Sequence, residues 1–324
     1  MKRVLIVAPN WLGDSVMALP ALADVRRTLP DAHVTVAAHG SVAALLSIVE
    51  SVNEVVALDD ATAAYEAALL LPNSFRSALA VMRARIPERW GFRTDWRGML
   101  LTRAIDRPAG VVHQVDSYQH LVRELGFVNG SPVPQLSVPR SLVDAAGQAL
   151  RAAGWNGESP LVALAPGAAF GPSKLWPAHA FGELAAGLAS DGVTGVLVGA
   201  AADQKVAEQV MGDAVEARLP RGESLLNLVG KTNVPVLAGV LAQCRAAVGN
   251  DSGAIHLAAA VGIRTTVLFG PTNERLTAPR GMQDSVVLTN PVWCRPCMLR
   301  DCPLDHACLR GIPVAAALRA TQAR

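Results

Sequence analysis

Four short segments carry side chains suited to chemistry on an anionic substrate. They are Asn10-Trp11-Leu12-Gly13-Asp14, Ala165-Pro166-Gly167 with Lys174, Asn250-Asp251-Ser252-Gly253 with His256, and Gly270-Pro271-Thr272-Asn273. Asp14 is the one acid of the first segment, and a placed carboxylate can take a proton from an attacking hydroxyl. In the second, Gly167 lets backbone N–H groups approach a ligand, and Lys174 adds one flexible cation, a combination that suits a diphosphate. In the third, Asp251 or Ser252 can cap a helix whose positive end would attract an anion. Each segment also has a plain reading. Gly13-Asp14 can be a tight turn and a helix cap, and a lone histidine such as His256 is more often a packed residue than a catalyst.

The elements that must hold these residues are strands and helices in alternation. Val4 to Ala8 is a short apolar run of the kind buried on both faces of a sheet, and Ser15 to Leu29 shows helical spacing through Val16, Leu19, Leu22 and Val25. His33 to Ala38, Val55 to Leu58 and Ala68 to Leu71 read as further strands, with Val42 to Val49 as a helix. A Pro-rich stretch from Ser131 to Arg140 interrupts the pattern, helix-like residues 141–153 follow, and Leu161 to Ala165 opens a second series. Val193 to Val198, Ala246 to Val248 and Thr265 to Phe269 continue it. The order implies an α/β chain of two Rossmann-like domains, 1–150 and 151–324, with parallel sheets facing a central cleft. Ligands of such sheets bind beyond the carboxyl ends of the strands, and all four segments follow strands. The G-x-G-x-x-G spacing of a dinucleotide site is absent, which disfavours an NAD-dependent oxidoreductase.

A net charge of +2 excludes a general nucleic-acid binder, but its distribution is uneven. Arg76 to Arg107 holds eight arginines against three acids, whereas the first 75 residues hold four basic and eight acidic residues. That stretch is either a cationic face or an ordinary solvated helix surface. The apolar start is too short for a signal peptide, and no run approaches the ~20 apolar residues of a spanning helix, so a cytoplasmic protein is expected. Cys294-x-x-Cys297-x4-Cys302-x5-Cys308, with His306 beside the last, is not a secreted disulfide framework. Four thiols so close can enclose a structural zinc or remain free and redox-labile, with an iron–sulfur cluster the least favoured reading.

Taken together the segments resemble glycosyltransferase family 9, the ADP-heptose:lipopolysaccharide heptosyltransferases, from Val4 to about Ile312. The strings that carry the resemblance are Trp11-Leu12-Gly13-Asp14 with Leu19-Pro20-Ala21-Leu22, Pro166-Gly167 through Lys174-Leu175-Trp176-Pro177, Asn250-Asp251-Ser252-Gly253 with His256, and Phe269-Gly270-Pro271-Thr272. Leu71-Pro72-Asn73-Ser74-Phe75-Arg76 with Arg89-Trp90-Gly91-Phe92 is most similar to the subgroup that adds the second heptose. The resemblance implies a GT-B fold, an ADP-heptose donor, a heptosyl-Kdo-lipid A acceptor met at the inner membrane, inversion at the anomeric carbon, and no metal for transfer. Asp14 matches the family's general base and Lys174 its pyrophosphate contact. Asp251 matches the donor-sugar contact, with Ser252, Gly253 and His256 on the same helix, and the loops at Gly167 and at Gly270 to Thr272 complete the donor site. The cysteine cluster occurs in only some relatives.

Inverting transfer needs a base at the attacking oxygen and positive charge on the departing diphosphate. Asp14 in the first domain would supply one, and Lys174 with the helix after Asp251 in the second would supply the other, so that reaction waits for cleft closure. The rival readings are a family member with another sugar nucleotide or acceptor, and a non-catalytic protein that only binds nucleotide sugars.

Overall fold

The computed structural model describes residues 1–60, 64–217 and 225–322. The chain divides into two compact units, Met1–Ser137 and Val138–Arg324. In the first, β1 (Arg3–Val7), β2 (His33–Ala37), β3 (Glu54–Val56), β4 (Ala67–Leu70), β5 (Glu88–Phe92) and β6 (Arg103–Ile105) form one parallel sheet in the order β3-β2-β1-β4-β5-β6. Its helices are α1 (Leu12–Met17), α2 (Leu19–Thr28), α3 (Gly40–Leu46), α4 (Phe75–Arg83) and α5 (Gln114–Glu124). β1 and β4 sit between neighbours, and their near-continuous apolar character follows from burial on both faces. The single helix expected from Ser15 to Leu29 is two, broken at Ala18, and Pro20 near the start of α2 has no N–H to lose there. Buried Asp24 then ties α2 to its surroundings, accepting from Arg27 at 2.6 Å, from Gln119 of α5 at 2.9 Å and from the Gly130 amide at 2.7 Å.

The second unit repeats the plan. Its strands are β7 (Leu161–Ala165), β8 (Thr194–Leu197), β9 (Leu225–Asn227), β10 (Cys244–Asn250), β11 (Arg264–Phe269) and β12 (Ser285–Thr289), all parallel, in the order β12-β11-β10-β7-β8-β9. Both sheets therefore wind outward in two directions from a central pair, β1 and β4 in one and β7 and β10 in the other. That central gap is the switch point where open α/β sheets hold ligands. The helices are α6 (Arg140–Ala152), α7 (Ala178–Ser190), α8 (Gln204–Glu216), α9 (Val234–Ala242), α10 (Gly253–Val261), α11 (Glu274–Thr277), α12 (Ala307–Arg310) and α13 (Val314–Gln322).

The division falls after Ser137 rather than near residue 150, because α6 packs with the second unit. Gly239 of α9 has no Cβ, and one placed there would stand 2.4 Å from the Leu142 carbonyl of α6. The helices approach that closely only with glycine at the crossing. Gln243 then donates to the Val143 carbonyl at 3.1 Å. Behind β7 and β10 the core contains Val162, Leu164, Trp176, Phe181, Val248 and Leu309, with Trp176 edge-on to Phe181 at 4.9 Å.

The arginine-rich stretch is not one cationic face. Arg97 is wholly buried, donating from Nε to the Phe92 carbonyl at 2.9 Å and from Nη1 to the Pro72 carbonyl. Arg89 is spent on the carbonyls of Ile86, Pro87 and Leu100, and Arg103 on those of Glu124 and Leu125. Arg93 pairs with Asp106 at 3.0 Å. Arg76, Arg83, Arg85 and Arg107 remain on the surface, as do Trp96, 90% exposed, and Met99, 81% exposed.

Candidate active site

In the second unit the site grows from the carboxyl ends of β7 and β10. Asn250, the last residue of β10, is fully buried and uses both ends of its amide: Nδ2 donates to the Pro166 carbonyl at 2.6 Å, and Oδ1 accepts from the Trp176 amide at 2.9 Å. One side chain thus fixes the loop after β7 at its start and its finish. Trp176 is buried behind it and donates from Nε1 to the Ile312 carbonyl at 3.2 Å. Lys174, two residues earlier, is held at the mouth of the switch point.

There it meets Asp251. Lys174 Nζ donates to Asp251 Oδ2 at 2.5 Å and lies 5.0 Å from the centre of the Phe170 ring. The hydroxyl of Thr272, in the loop after β11, donates to the same carboxylate oxygen at 2.7 Å, and His256 Nε2 stands 3.8 Å from Oδ1. Burial opposes the charge on Asp251, but His256 and the Lys174 ammonium outweigh it and hold the carboxyl at about 2. Three separate loops, after β7, β10 and β11, therefore converge on one ionised carboxylate.

The structure brings together Lys174, Asp251, Thr272 and His256. Ser252, not Asp251, occupies the N-cap of α10; its hydroxyl is buried without a hydrogen-bond partner, and Gly253 begins the helix. Gly167 is close-packed: a Cβ there would stand 2.1 Å from Cγ of Asp203. Gly270 is backed by Leu309, 2.7 Å from where its Cβ would be. Asp203 was not singled out from the sequence. Its carboxylate accepts from the Ala200 amide at 2.9 Å, and burial raises its pKa above the usual carboxylate range. The only signal was position, an acid closing the loop after β8.

Asp14 belongs to the other unit, in the first turn of α1. Trp11 occupies the N-cap position, so Asp14 is not the helix cap. Its charge adds to the burial that pushes the Tyr118 phenol of α5 upward.

The four late cysteines are free thiols and line one cavity, with Cys308 buried and the others half-buried. Among the described residues, no group of three or more His, Cys, Asp or Glu is arranged to hold a metal ion. Nor is any described helix long and apolar enough to cross a membrane.

Comparison with known proteins adds to this geometry. Residues 61–308 match the family glycosyltransferase family 9 (heptosyltransferase). Lipopolysaccharide heptosyltransferase 2 of Salmonella typhimurium is 30% identical over 308 residues, covering 88% of this chain and 87% of that protein. Lipooligosaccharide heptosyltransferase 2 of Haemophilus influenzae is 29% identical, with 88% of each chain covered. The solved structure of the E. coli ADP-heptose lps heptosyltransferase II superposes with a TM-score of 0.82 at 28% identity, covering 99% of this chain and 97% of that one. The two parallel sheets are those of the GT-B heptosyltransferases, and the chain belongs to glycosyltransferase family 9 as a glycosyltransferase of that fold.

Proposed function

We propose that the protein transfers heptose from ADP-L-glycero-D-manno-heptose to heptosyl-Kdo-lipid A of the lipopolysaccharide inner core, with inversion at the anomeric carbon. The convergence of Lys174, Thr272 and His256 on Asp251 at the switch point carries the donor half of this reading. Lys174 is the cation that can leave Asp251 for the diphosphate, and the N-terminus of α10 adds its dipole beside it. Asp251, once released, accepts from hydroxyls of the donor sugar. With that charge in place, transfer needs no metal. Asp14 takes the proton of the acceptor hydroxyl as it attacks from the face opposite the departing ADP.

Similarity to heptosyltransferases named for lipopolysaccharide and for ADP-heptose supports the choice of sugar and acceptor. Exposed Trp96 and Met99, with Arg76, Arg83, Arg85 and Arg107 in the same unit, support peripheral contact with the anionic inner leaflet, from which the acceptor would be taken. The deciding experiment offers labelled ADP-heptose with Kdo–lipid A and with its monoheptosylated form, with and without a chelator. Transfer to the second acceptor alone, undiminished by chelation, is expected. Preference for the first acceptor, or binding of ADP-heptose without transfer, would overturn the assignment.

A further inference from the structure

Residues 290–306, between β12 and α12, contain no helix or strand, yet they are strapped across the lysine-bearing loop. The Arg300 and Leu299 carbonyls accept from the Ser173 amide at 3.1 Å and its hydroxyl at 2.6 Å. Ser173 is buried and immediately precedes Lys174. The strap comes closest at Gly171, where a Cβ would stand 2.8 Å from the Arg300 carbonyl. Met298 donates its amide to the Pro271 carbonyl at 3.0 Å, which ties the strap to the loop after β11 as well. Residue 300 is thus fixed beside the lysine loop through its backbone, and its side chain is left for other work.

The three arginines of the strap and α12 are used differently. Arg295 donates to the Gly270 carbonyl and to Glu274, each at 2.7 Å, and Arg310 pairs with Asp305. Among the described residues the Arg300 guanidinium has neither an acid nor a carbonyl as its partner. It lies over the Phe170 ring, with Cζ 5.6 Å from the centre, and the Lys174 ammonium is 5.0 Å from the centre of that same ring. An aromatic ring holds a guanidinium in place without using its N–H donors. Arg300 is exposed, so those donors are open to a ligand.

The charges nearby give this arginine a task. Lys174 and the ionised Asp251, 2.5 Å apart, cancel one another. A diphosphate that draws Lys174 away leaves the Asp251 carboxylate uncompensated beside it. The need grows during transfer: as the bond from the anomeric carbon to the diphosphate oxygen breaks, the electron pair stays on that oxygen, and ADP departs with one more negative charge. The N-terminus of α10 supplies only a partial charge.

We propose that Arg300 is a second cation of the donor diphosphate, binding its oxygens beside Lys174 and stabilising the charge that develops on departing ADP. This rests on the donor reading given above and adds a residue to it. The planar guanidinium can meet two phosphate oxygens at once, which a lysine cannot. Arg300 gives up no proton in the step; the acceptor's proton goes to Asp14.

The test compares the full-length wild type with Arg300→Ala and Arg300→Lys, using titration calorimetry with ADP and with adenosine, and steady-state transfer from ADP-heptose. Arg300→Ala should weaken ADP about ten-fold, leave adenosine unchanged and lower kcat as well as donor kcat/KM. Arg300→Lys should recover part of the ADP affinity, because a point charge remains without the fork. Tm should be unchanged, since backbone contacts hold the strap. Should Arg300→Ala fail to fold, Arg300→Gln carries the same comparison at nearly the original length. ADP bound as tightly by the variant as by wild type would overturn the assignment. Equal losses for ADP and adenosine would also overturn it, by showing a structural role. Wild type that binds no ADP would instead refute the donor reading itself, and this contact with it.

Discussion

In the first unit one buried charge is a cation, Arg97, whose Nε and Nη1 donate to the backbone carbonyls of Phe92 and Pro72. In the second it is an anion, Asp251, satisfied by the side chains of Lys174 and Thr272. Both sit at the carboxyl ends of sheets with the same strand order. Carbonyl partners belong to the chain path and cannot leave, so Arg97 sets the course of the loop after β4. Burial lowers its pKa to about 10, which still leaves it charged at neutral pH. The partners of Asp251 are side chains that can turn to a ligand without the backbone moving. One buried charge builds a loop; the other holds a site in readiness.

The largest effect should come from outside both clusters. Asp14→Asn should lower turnover by about 10²–10⁴-fold and leave ADP-heptose binding nearly unchanged. Full activity in this variant, by steady-state kinetics, would reduce Asp14 to a residue of the α1–α5 packing.

Lys174→Ala should weaken ADP binding by about 1.5–3 kcal/mol, roughly ten- to hundred-fold, in titration calorimetry. Asp251→Ala should instead weaken ADP-heptose more than ADP, because the contact proposed for it is to the sugar. Equal losses for both ligands would refute that role. Arg97→Met is the counterpart in the first unit. It strands carbonyls at about 1–3 kcal/mol each, so denaturant unfolding should show a clear loss of stability while ADP affinity holds. A loss of ADP affinity with unchanged stability would erase the contrast between the two charges.

Acid titration is a finer probe. Asp251 has its carboxyl depressed from 3.8 to about 2, so its contribution is complete above the unfolded value and disappears as pH falls through the folded one. Between pH 4 and pH 2 the wild type should lose more stability than Lys174→Met, by about 1 kcal/mol or less, because the variant lacks only part of the cause and His256 remains. Matching acid curves would mean the pair is not coupled. The smallest effect is expected at the surface. Reversing Arg83 and Arg85 to Glu should reduce sedimentation with anionic vesicles by a few-fold at low salt and raise acceptor KM, with donor KM unchanged. Unaltered sedimentation would leave these as solvated charges.

Much of this was legible in the residues. β1, β4, β7 and residues 246–248 of β10 announce themselves because strands buried on both faces carry near-continuous apolar runs, and the site loops follow them. β5, Glu-Arg-Trp-Gly-Phe, was missed because its charged residues mask the apolar ones, and β6 and β9 because three residues give no periodicity. The unit boundary was placed too late since α6 reads as a helix without revealing what it packs on. Arg97 was read with its neighbours as a surface charge, because carbonyl partners leave no trace in side-chain sequence. Asp203 offered only its place after β8, whereas Lys174 and Asp251 were recognisable from their motifs though their contact was not.

Asn250 has a consequence for how the donor site meets its ligand. With one amide bonded to the Pro166 carbonyl and the Trp176 amide, the start and end of the loop after β7 are held at a fixed span, and neither can shift alone. A ligand arriving there does not have to order that frame, so less of its binding energy is consumed in entropy. Selectivity then comes from rejection as much as attraction. A ligand that demanded a wider loop would have to break the hydrogen bonds of a fully buried amide to fit.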